Sequence, residues 1–171
     1  PYGNSLDKVP GQKNKSYRSI FKKILTREKD FKYKVNLEYV NYYSERNKWV
    51  TDKFIKIFGP KRKWSDPLSK HHKNIAAALQ DQLEHVVLNQ LKIARKKFKL
   101  SKLCLSGGVA LNCSLNGKIA KSKIFKEIFV QPASGDDGCT YGASLLAYAK
   151  CKKKFMPKKM HNFYKGSIFT N

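Results

Sequence analysis

Two periods of apolar residues alternate along the first forty positions. Between Tyr17 and Arg27 apolar side chains recur every three or four residues, which predicts a helix. From Phe31 to Tyr39 apolar and polar residues alternate strictly for nine positions, which predicts a β-strand with one solvated face. The preceding residues, 1–15, are polar and rich in turn formers and read as a loop.

Two further helices are predicted downstream. A short one spans Thr51–Phe58, with Thr51 as its N-cap and Gly59-Pro60 ending it. A long one runs from about Ser69 to Phe98. Its predicted apolar stripe consists of residues four apart and their neighbours: Ile75, Leu79, Leu83, Val87 and Leu91, widened by Ala76, Ala77, Val86 and Ile93.

The segment from Leu103 to Ala147 repeats one local order twice. An apolar run (103–105, then 128–130) is followed by a Gly-rich turn (106–108, then 134–138) and by a helix-compatible stretch. This order is typical of an α/β unit that binds a phosphate or nucleotide. Glycines let the backbone approach a ligand, and a helix N-terminus offers N–H groups to an anion.

These patterns predict one α/β domain in three parts. Residues 1–65 form its first part or an insertion, residues 66–150 form a nucleotide-clasping α/β core, and residues 151–171 form a linker. The first residue is Pro1, so we expect either a piece of a longer chain or a processed product. No apolar run approaches the roughly 18–20 residues of a bilayer span and no signal-peptide pattern opens the chain, which favours a cytoplasmic protein without a membrane partner.

The amino-acid composition indicates a folded core and a strong positive charge. Of the 171 residues, 41% are hydrophobic and 12% aromatic, enough for a packed interior. The net charge of +24 suggests an anionic partner such as nucleic acid. However, only five of the 36 basic residues are Arg, and the lysines are spread over nearly every segment. This distribution argues against nucleic acid as the main partner.

Aromatic and basic residues interleave between Val40 and Ser65. Such a pattern can form a stacking platform for single-stranded nucleic acid, but an irregular insertion held by its aromatics is the preferred interpretation.

The four cysteines are nine, 26 and 12 residues apart, without a C-x-x-C pair, so neither a zinc ribbon nor a disulfide framework is indicated. We expect Cys104 and Cys139 to be small buried residues, and the histidines of the long helix to be structural.

The two turns carry the candidate chemistry. The first, with Gly107 and Gly108, is neither G-x-G-x-x-G nor a P-loop. Asn112, on the first turn of the next helix, either binds a ribose or base or caps that helix. In the second turn, the adjacent Asp136 and Asp137 repel each other unless a cation, solvent or the helix N-terminus offsets their charge. A metal shared with nucleotide phosphates and a simple helix cap are both consistent with this pair.

The same residues carry a specific family resemblance. Residues 106–113 read Ser-Gly-Gly-Val-Ala-Leu-Asn-Cys, and residues 131–143 read Gln-Pro-Ala-Ser-Gly-Asp-Asp-Gly-Cys-Thr-Tyr-Gly-Ala. These two stretches of sequence resemble those of the O-carbamoyltransferases of the nodulation-factor and antibiotic-tailoring type. Shorter stretches at 1–3, 31–43, 72–80 and 162–167 are similar to other elements of that family.

The resemblance implies the later half of an N-terminal actin-like ATPase (ribonuclease H-like) domain, with a mixed sheet and packed helices. It implies transfer of a carbamoyl group from carbamoyl phosphate, through a carbamoyl-adenylate made with ATP, to a hydroxyl of an acceptor. Gly107, Gly108, Val109 and Asn112 would line the adenosine pocket. Asp136 would be a ligand to a divalent metal, of the iron type or Mg²⁺.

Other parts of the activity are expected elsewhere in such a protein. The resemblance places the family's histidine metal ligands upstream of Pro1 and the carbamoyl-phosphate site in a C-terminal adenylate-forming domain. We therefore expect this chain alone not to catalyse the full reaction. The alternative that the residues leave open is a basic accessory domain that binds RNA or another polyanion without catalysis.

Overall fold

The computed structural model describes residues 2–44 and 46–151. They form a mixed α/β structure in two compact units, the first ending at Lys99 and the second beginning at Leu100. The long helix belongs to the first unit, whereas the predicted organisation groups it with residues 66–150. The predicted linker at 151–171 lies outside the described residues, apart from Cys151.

The first unit opens with helix α1, Tyr17–Ile24, capped by the Ser16 side chain. The chain then passes directly into strand β1, Leu25–Arg27, which pairs antiparallel with β2, Tyr33–Val35. The helix predicted over 17–27 is therefore correct only for its first part. The predicted nine-residue strand is reduced to three residues by turns at both ends. Its start lies in a turn, where Phe31 has φ +70°, and beyond β2 the Tyr39 N–H donates to the Asn36 carbonyl.

Two helices follow where they are predicted. Helix α2, Asp52–Phe58, begins at Thr51, whose Oγ1 accepts from the Phe54 N–H, and ends at Gly59 with φ +82°. Helix α3, Lys70–Phe98, begins at a capping box formed by Ser69 and His72. Side-chain capping satisfies N–H groups that the first helical turn leaves without a partner.

The buried face of α3 differs from the predicted stripe. Its fully buried residues are Asn74, Ala77, Ala78, Gln82, Glu84, Val86 and Leu91, whereas Leu79 is 50% exposed. The two buried amide side chains form hydrogen bonds with backbone groups of other segments. Gln82 Nε2 donates to the Leu25 carbonyl at 2.7 Å. Asn74 Oδ1 accepts from the Asn4 N–H at 2.7 Å. The predicted stripe is thus correct in part, since Ala77, Val86 and Leu91 are buried and Ile75 packs against the core, whereas Leu79 does not.

An aromatic and aliphatic core holds the first unit together. Its buried members are Val9, Tyr17, Ile20, Phe21, Ile24, Tyr39, Phe58 and Ala78. Tyr17 is 2% exposed, and its hydroxyl lies 2.5 Å from His71 Nδ1. His71 Nε2 lies 2.7 Å from the Phe58 carbonyl oxygen, so this histidine links α1 to the end of α2. This contact agrees with the predicted structural role of His71.

The second unit contains the repeated strand, turn and helix order. Strands β3, Lys102–Leu105, and β4, Glu127–Val130, pair in parallel. A 3-10 turn and helix α4, Cys113–Ser122, connect them, and helix α5, Asp137–Cys151, follows β4. The two strand runs and both downstream helices are confirmed. In the described residues, however, the strands form two separate two-stranded sheets rather than one mixed sheet.

One face of the parallel pair is exposed in this unit. Phe129 is 54% exposed, and Cys104, its partner in the strand register, is also exposed. No described residue of α5 is fully buried, and Cys139 on its first turn is exposed as well. The expectation that Cys104 and Cys139 are buried is therefore wrong. Of the helices described, none combines the length and apolar character needed to cross a membrane.

Candidate functional site

The two Gly-rich turns of the second unit meet in space. Because β3 and β4 are parallel, both turns leave the same edge of the sheet. The Gly107 N–H donates to the Ser134 carbonyl at 2.8 Å, and the Gln131 N–H donates to the Leu105 carbonyl at 3.0 Å. These two bonds hold the turns side by side at the carboxyl ends of the strands, the position at which open α/β structures bind ligands.

A cavity of about 360 Å³ opens between the turns and the start of α5. Three of the predicted site residues, Gly107, Gly108 and Asp136, line it together. The remaining lining residues are Ser106, Gln131, Ala133, Ser134, Gly135, Gly138, Cys139 and Gly142. A volume in this range accommodates a small organic ligand or part of a nucleotide.

Glycines are required at two positions of this cavity wall. Gly107 has φ +94°, a conformation that residues with a Cβ rarely adopt. At Gly138 an added Cβ would lie 1.9 Å from the Ala133 carbonyl oxygen, far inside van der Waals contact. The first glycine shapes the turn after β3, and the second allows α5 to begin directly against the turn after β4.

Two residues of the lining each have a buried polar atom without a hydrogen-bond partner among the described residues. These atoms are Oε1 of Gln131 and Oγ of Ser134, and Ser134 is only 3% exposed. Leaving such a group unpaired costs roughly 1–3 kcal/mol, so unpaired groups at a cavity are natural contacts for a ligand. The sequence interpretation did not single out these residues. Gln131 directly follows β4 and Ser134 opens the Gly-rich turn after it, and these positions are the signal that would have identified them.

Val109 and Asn112 do not line this cavity. Val109 is 56% exposed. The Asn112 side chain accepts from the Leu115 N–H at 3.0 Å and caps α4. Of the two interpretations of Asn112, the structure shows the helix cap.

The two carboxylates lie at the start of α5. Asp136 and Asp137 are both exposed, and Asp137 is the first residue of the helix. Backbone bonds shape the turn: the Gly138 N–H donates to the Gly135 carbonyl, and the Cys139 N–H donates to the Asp136 carbonyl. Within residues 2–44 and 46–151, no group of three His, Cys, Asp or Glu side chains is placed to hold a metal ion. Asp136 therefore offers a single carboxylate at the cavity.

Comparison with known proteins adds an independent assignment. The family described as "Carbamoyltransferase N-terminus" matches residues 9–145. Nodulation protein NolO of Bradyrhizobium diazoefficiens is 39% identical over 105 residues, which is 61% of this chain and 19% of the relative. Nodulation protein NolNO of Sinorhizobium fredii is 39% identical over 100 residues, 58% of this chain and 15% of the relative.

A longer match extends over most of the chain. An uncharacterized protein of Synechocystis is 35% identical over 157 residues, covering 89% of this chain and 25% of the relative. The chain thus spans a quarter or less of the length of these relatives. The family match includes both Gly-rich turns and the cavity between them, and the predicted resemblance is confirmed. The chain belongs to the carbamoyltransferase family and matches its N-terminal region.

Proposed function

We propose that this chain is the nucleotide-binding part of an O-carbamoyltransferase. The whole enzyme would transfer a carbamoyl group from carbamoyl phosphate, through a carbamoyl-adenylate made with ATP, to a hydroxyl of a small-molecule or glycan acceptor. Family membership supports the transferase class. The observation that carries the nucleotide assignment is the cavity between the two turns, lined by Gln131 and Ser134, each of which has an unpaired buried polar atom.

The adenosine moiety fits the chemistry of this wall. Gly107 and Gly108 have no side chains, so a ribose or base can approach their backbone closely. Gln131 Oε1 accepts hydrogen bonds, and Ser134 Oγ both donates and accepts, which matches the hydroxyl and amino groups of a nucleoside. Val109 and Asn112, which the family resemblance also assigns to adenosine, would contribute from the adjacent turn rather than from the cavity wall.

Asp136 would hold a divalent cation beside the phosphates. A carboxylate oxygen is a suitable ligand for Mg²⁺, which proteins commonly bind through one or two carboxylates together with substrate phosphates. The single carboxylate at this cavity fits that arrangement. An iron-type ion takes imidazole ligands as well, and the family resemblance places those in another part of the protein. Such a cation would polarise the carbamoyl carbonyl and orient the acceptor hydroxyl.

The proposed domain belongs to the actin-like ATPase (ribonuclease H-like) class. The parallel pair β3–β4 and the two turns at one edge support this assignment. An adenylate-forming domain would supply the carbamoyl-adenylate. Because the chain spans a quarter or less of its relatives, the complete transfer would require residues beyond those of this chain.

Nucleotide titration of the 171-residue chain tests the proposal. The non-hydrolysable analogue AMP-PCP is titrated with Mg²⁺ by calorimetry into the wild type and into Gly108→Val, Asp136→Asn and Asp137→Asn variants. A Cβ on Gly108 meets nothing within 4 Å, so the valine can fill the cavity without disturbing the packing. We expect saturable binding that Gly108→Val abolishes and Asp136→Asn weakens roughly tenfold, as loss of a charge-assisted contact implies.

Asp137→Asn is the matched control for charge. It removes the same charge one residue further along, from a position outside the cavity lining. We expect its affinity to remain within about threefold of the wild type. No saturable binding by the wild type, or equal loss in the two Asp variants, would contradict the proposed roles.

The accessory polyanion-binding function remains the second candidate. Exposed aromatic side chains favour it, since Tyr42, Tyr43, Trp49 and Trp64 are 56–95% exposed and lie among lysines. Binding of a single-stranded RNA oligomer that weakens steeply with salt and is insensitive to Asp136→Ala would support it. Nucleotide binding that depends on Asp136 would support the transferase function instead.

A further inference from the structure

The first unit contains a second cavity, separate from the proposed nucleotide site. Its volume is about 480 Å³, and it is bounded by residues 47–50, helix α2, the 59–62 loop and the first turns of α3. Its lining residues are Asn47, Lys48, Trp49, Val50, Phe54, Ile55, Phe58, Gly59, Pro60, Lys61, Arg62, His72 and Ile75. This volume falls within the range of small-molecule pockets.

The floor of this cavity is apolar and firmly held. Phe58 is 4% exposed and belongs to the core, and its ring lies 4.6 Å from that of Phe54. Ile75 packs against the same core from α3. Trp49, by contrast, is 68% exposed at the wall. A large exposed indole in the same lining as these two rings provides a surface on which a flat apolar group can stack.

The polar part of the lining is cationic. Lys48, Lys61 and Arg62 line the cavity, and none of the described residues of the lining carries a carboxylate. Lys48 is paired with Asp52 at 3.3 Å, and Arg62 donates to the carbonyls of Trp64 and Asp66. Lys61 has no ion pair with any carboxylate in the part of the chain that the structure describes. Its ammonium group is therefore available to an anion.

His72 adds a neutral hydrogen-bonding group to the same wall. Its Nδ1 accepts from the Ser69 N–H at 3.2 Å, within the capping box of α3. In the neutral imidazole the proton then lies on Nε2, which is a donor. Two acidic side chains lie close to this lining: Asp52 is paired with Lys48, and Asp66 lines a neighbouring cavity and accepts from the Lys63 N–H at 2.9 Å.

We propose that this cavity binds a small aromatic anion. The ring of the ligand would stack between Trp49 and the apolar floor, and its carboxylate or sulfonate would lie at Lys61 with His72 as a further donor. Charge complementarity favours an anion, because the charged side chains among the described lining residues are the cations Lys48, Lys61 and Arg62. The site is formed entirely by residues of the first unit and is independent of the nucleotide proposal.

The two tryptophans of the chain allow a direct test. In a ¹⁵N-labelled sample they give two indole N–H signals, assigned with Trp49→Phe and Trp64→Phe variants. Trp64 is 95% exposed and lies outside the lining, so its signal is an internal control. The probe is 1-naphthylacetate, and its uncharged counterpart is 1-naphthylacetamide, which has the same ring system without the charge.

We expect 1-naphthylacetate to shift the Trp49 signal in a saturable manner and to leave Trp64 unchanged. Lys61→Glu should weaken this binding about 3- to 10-fold, as loss of one exposed charge contact and gain of a repulsion imply. Lys63→Glu, an equally exposed lysine outside the lining, should have an effect below twofold. Neither substitution removes a buried side chain, so both variants should fold.

Three results would overturn the proposal. The first is a Trp49 shift that stays linear up to millimolar probe or is matched by an equal shift of Trp64. The second is equal affinity for the amide, which would mean that the charge is not recognised. The third is equal weakening by Lys61→Glu and Lys63→Glu, which would reduce the effect to net charge.

Discussion

Among the described glycines of the second unit, Gly138 leaves the least room for a Cβ, and its replacement by alanine is a sharp test of the site geometry. The added Cβ would lie 1.9 Å from the Ala133 carbonyl oxygen and 3.1 Å from the carbonyl carbon. Real Cβ atoms essentially never approach closer than 3.0 Å. The turn after β4 and the start of α5 would therefore have to separate by about 1 Å or more.

Two opposing contributions determine the size of the effect. Alanine is favoured over glycine in a helix by about 0.8–1 kcal/mol. Overpacking that forces backbone to move costs about 1–3 kcal/mol or more. The clash should prevail here because the contacted atom is backbone and not the flexible end of a side chain. We expect Gly138→Ala to destabilise the second unit by roughly 1–2 kcal/mol.

Gly117→Ala is the matched control, since Gly117 lies within α4 and a Cβ there meets nothing within 4 Å. It should stabilise the unit by up to about 1 kcal/mol. Hydrogen exchange of the β3 and β4 amides, measured by mass spectrometry on the full chain, reports this unit separately. Equal exchange in wild type and Gly138→Ala, or a slowing equal to that of Gly117→Ala, would show that the turn is not packed against Gly138.

Three further substitutions test other contacts. Tyr17→Phe leaves His71 Nδ1 without its hydroxyl partner and should destabilise the first unit by about 1–3 kcal/mol. Urea unfolding followed by tryptophan fluorescence measures this change. An unchanged unfolding midpoint would contradict the contact. Hydrogen bonds from Lys70 and Asn74 hold the pKa of Asp7 below its usual range, so its stabilising contribution is present above about pH 4 and is lost as the pH falls. Asp7→Asn should therefore reduce the loss of stability between pH 5 and pH 3 in the same assay, and an equal slope would exclude this ion pair. Asn112→Ala should cost about 1 kcal/mol of stability in hydrogen exchange of α4, whereas Asn112→Asp should keep the cap; equal losses would argue against capping.

Local signals in the sequence were sufficient for several elements. The Thr51 hydroxyl caps the N-terminus of helix α2, and Gly59, with its positive φ, ends the helix. Both residues lie directly beside the helix in the sequence. The strands β3 and β4 were predicted from short apolar runs that end in Gly-rich turns. Features of this kind depend on neighbours in sequence, so they can be read without knowing the tertiary structure.

Features that depend on distant partners were missed. The buried face of α3 contains Gln82 and Asn74, whose partners are the Leu25 carbonyl and the Asn4 N–H. Periodicity assigns burial by hydrophobicity and therefore favoured Leu79, which is half exposed. The strand predicted at residues 31–39 is correct only for Tyr33–Val35, since it pairs with the short β1 and turns lie at both of its ends.

The candidate site was predicted in part. Gly107, Gly108 and Asp136 were singled out from two turns almost thirty residues apart, and the structure places all three at one cavity. Gln131 and Ser134 were missed because an unpaired buried atom is defined by its surroundings and not by its residue type. The role of Asn112 also needed the structure, since an asparagine before a helix is equally suited to capping and to ligand binding.

The charges around the cavity impose a condition on any nucleotide that binds there. The positive end of the α5 dipole is already offset by Asp137 in the first turn, and Asp136 directly precedes it. A triphosphate entering this site without a cation would therefore meet the Asp136 carboxylate and gain little from the helix. A divalent cation between Asp136 and the phosphates would replace this repulsion by attraction, since it attracts both the carboxylate and the phosphates. Under the proposed function, Mg²⁺ and nucleotide must then raise each other's affinity by the same factor, as linkage requires. The ratio of nucleotide affinities with and without Mg²⁺ should equal the ratio of Mg²⁺ affinities with and without nucleotide, and Asp136→Asn should reduce both ratios together.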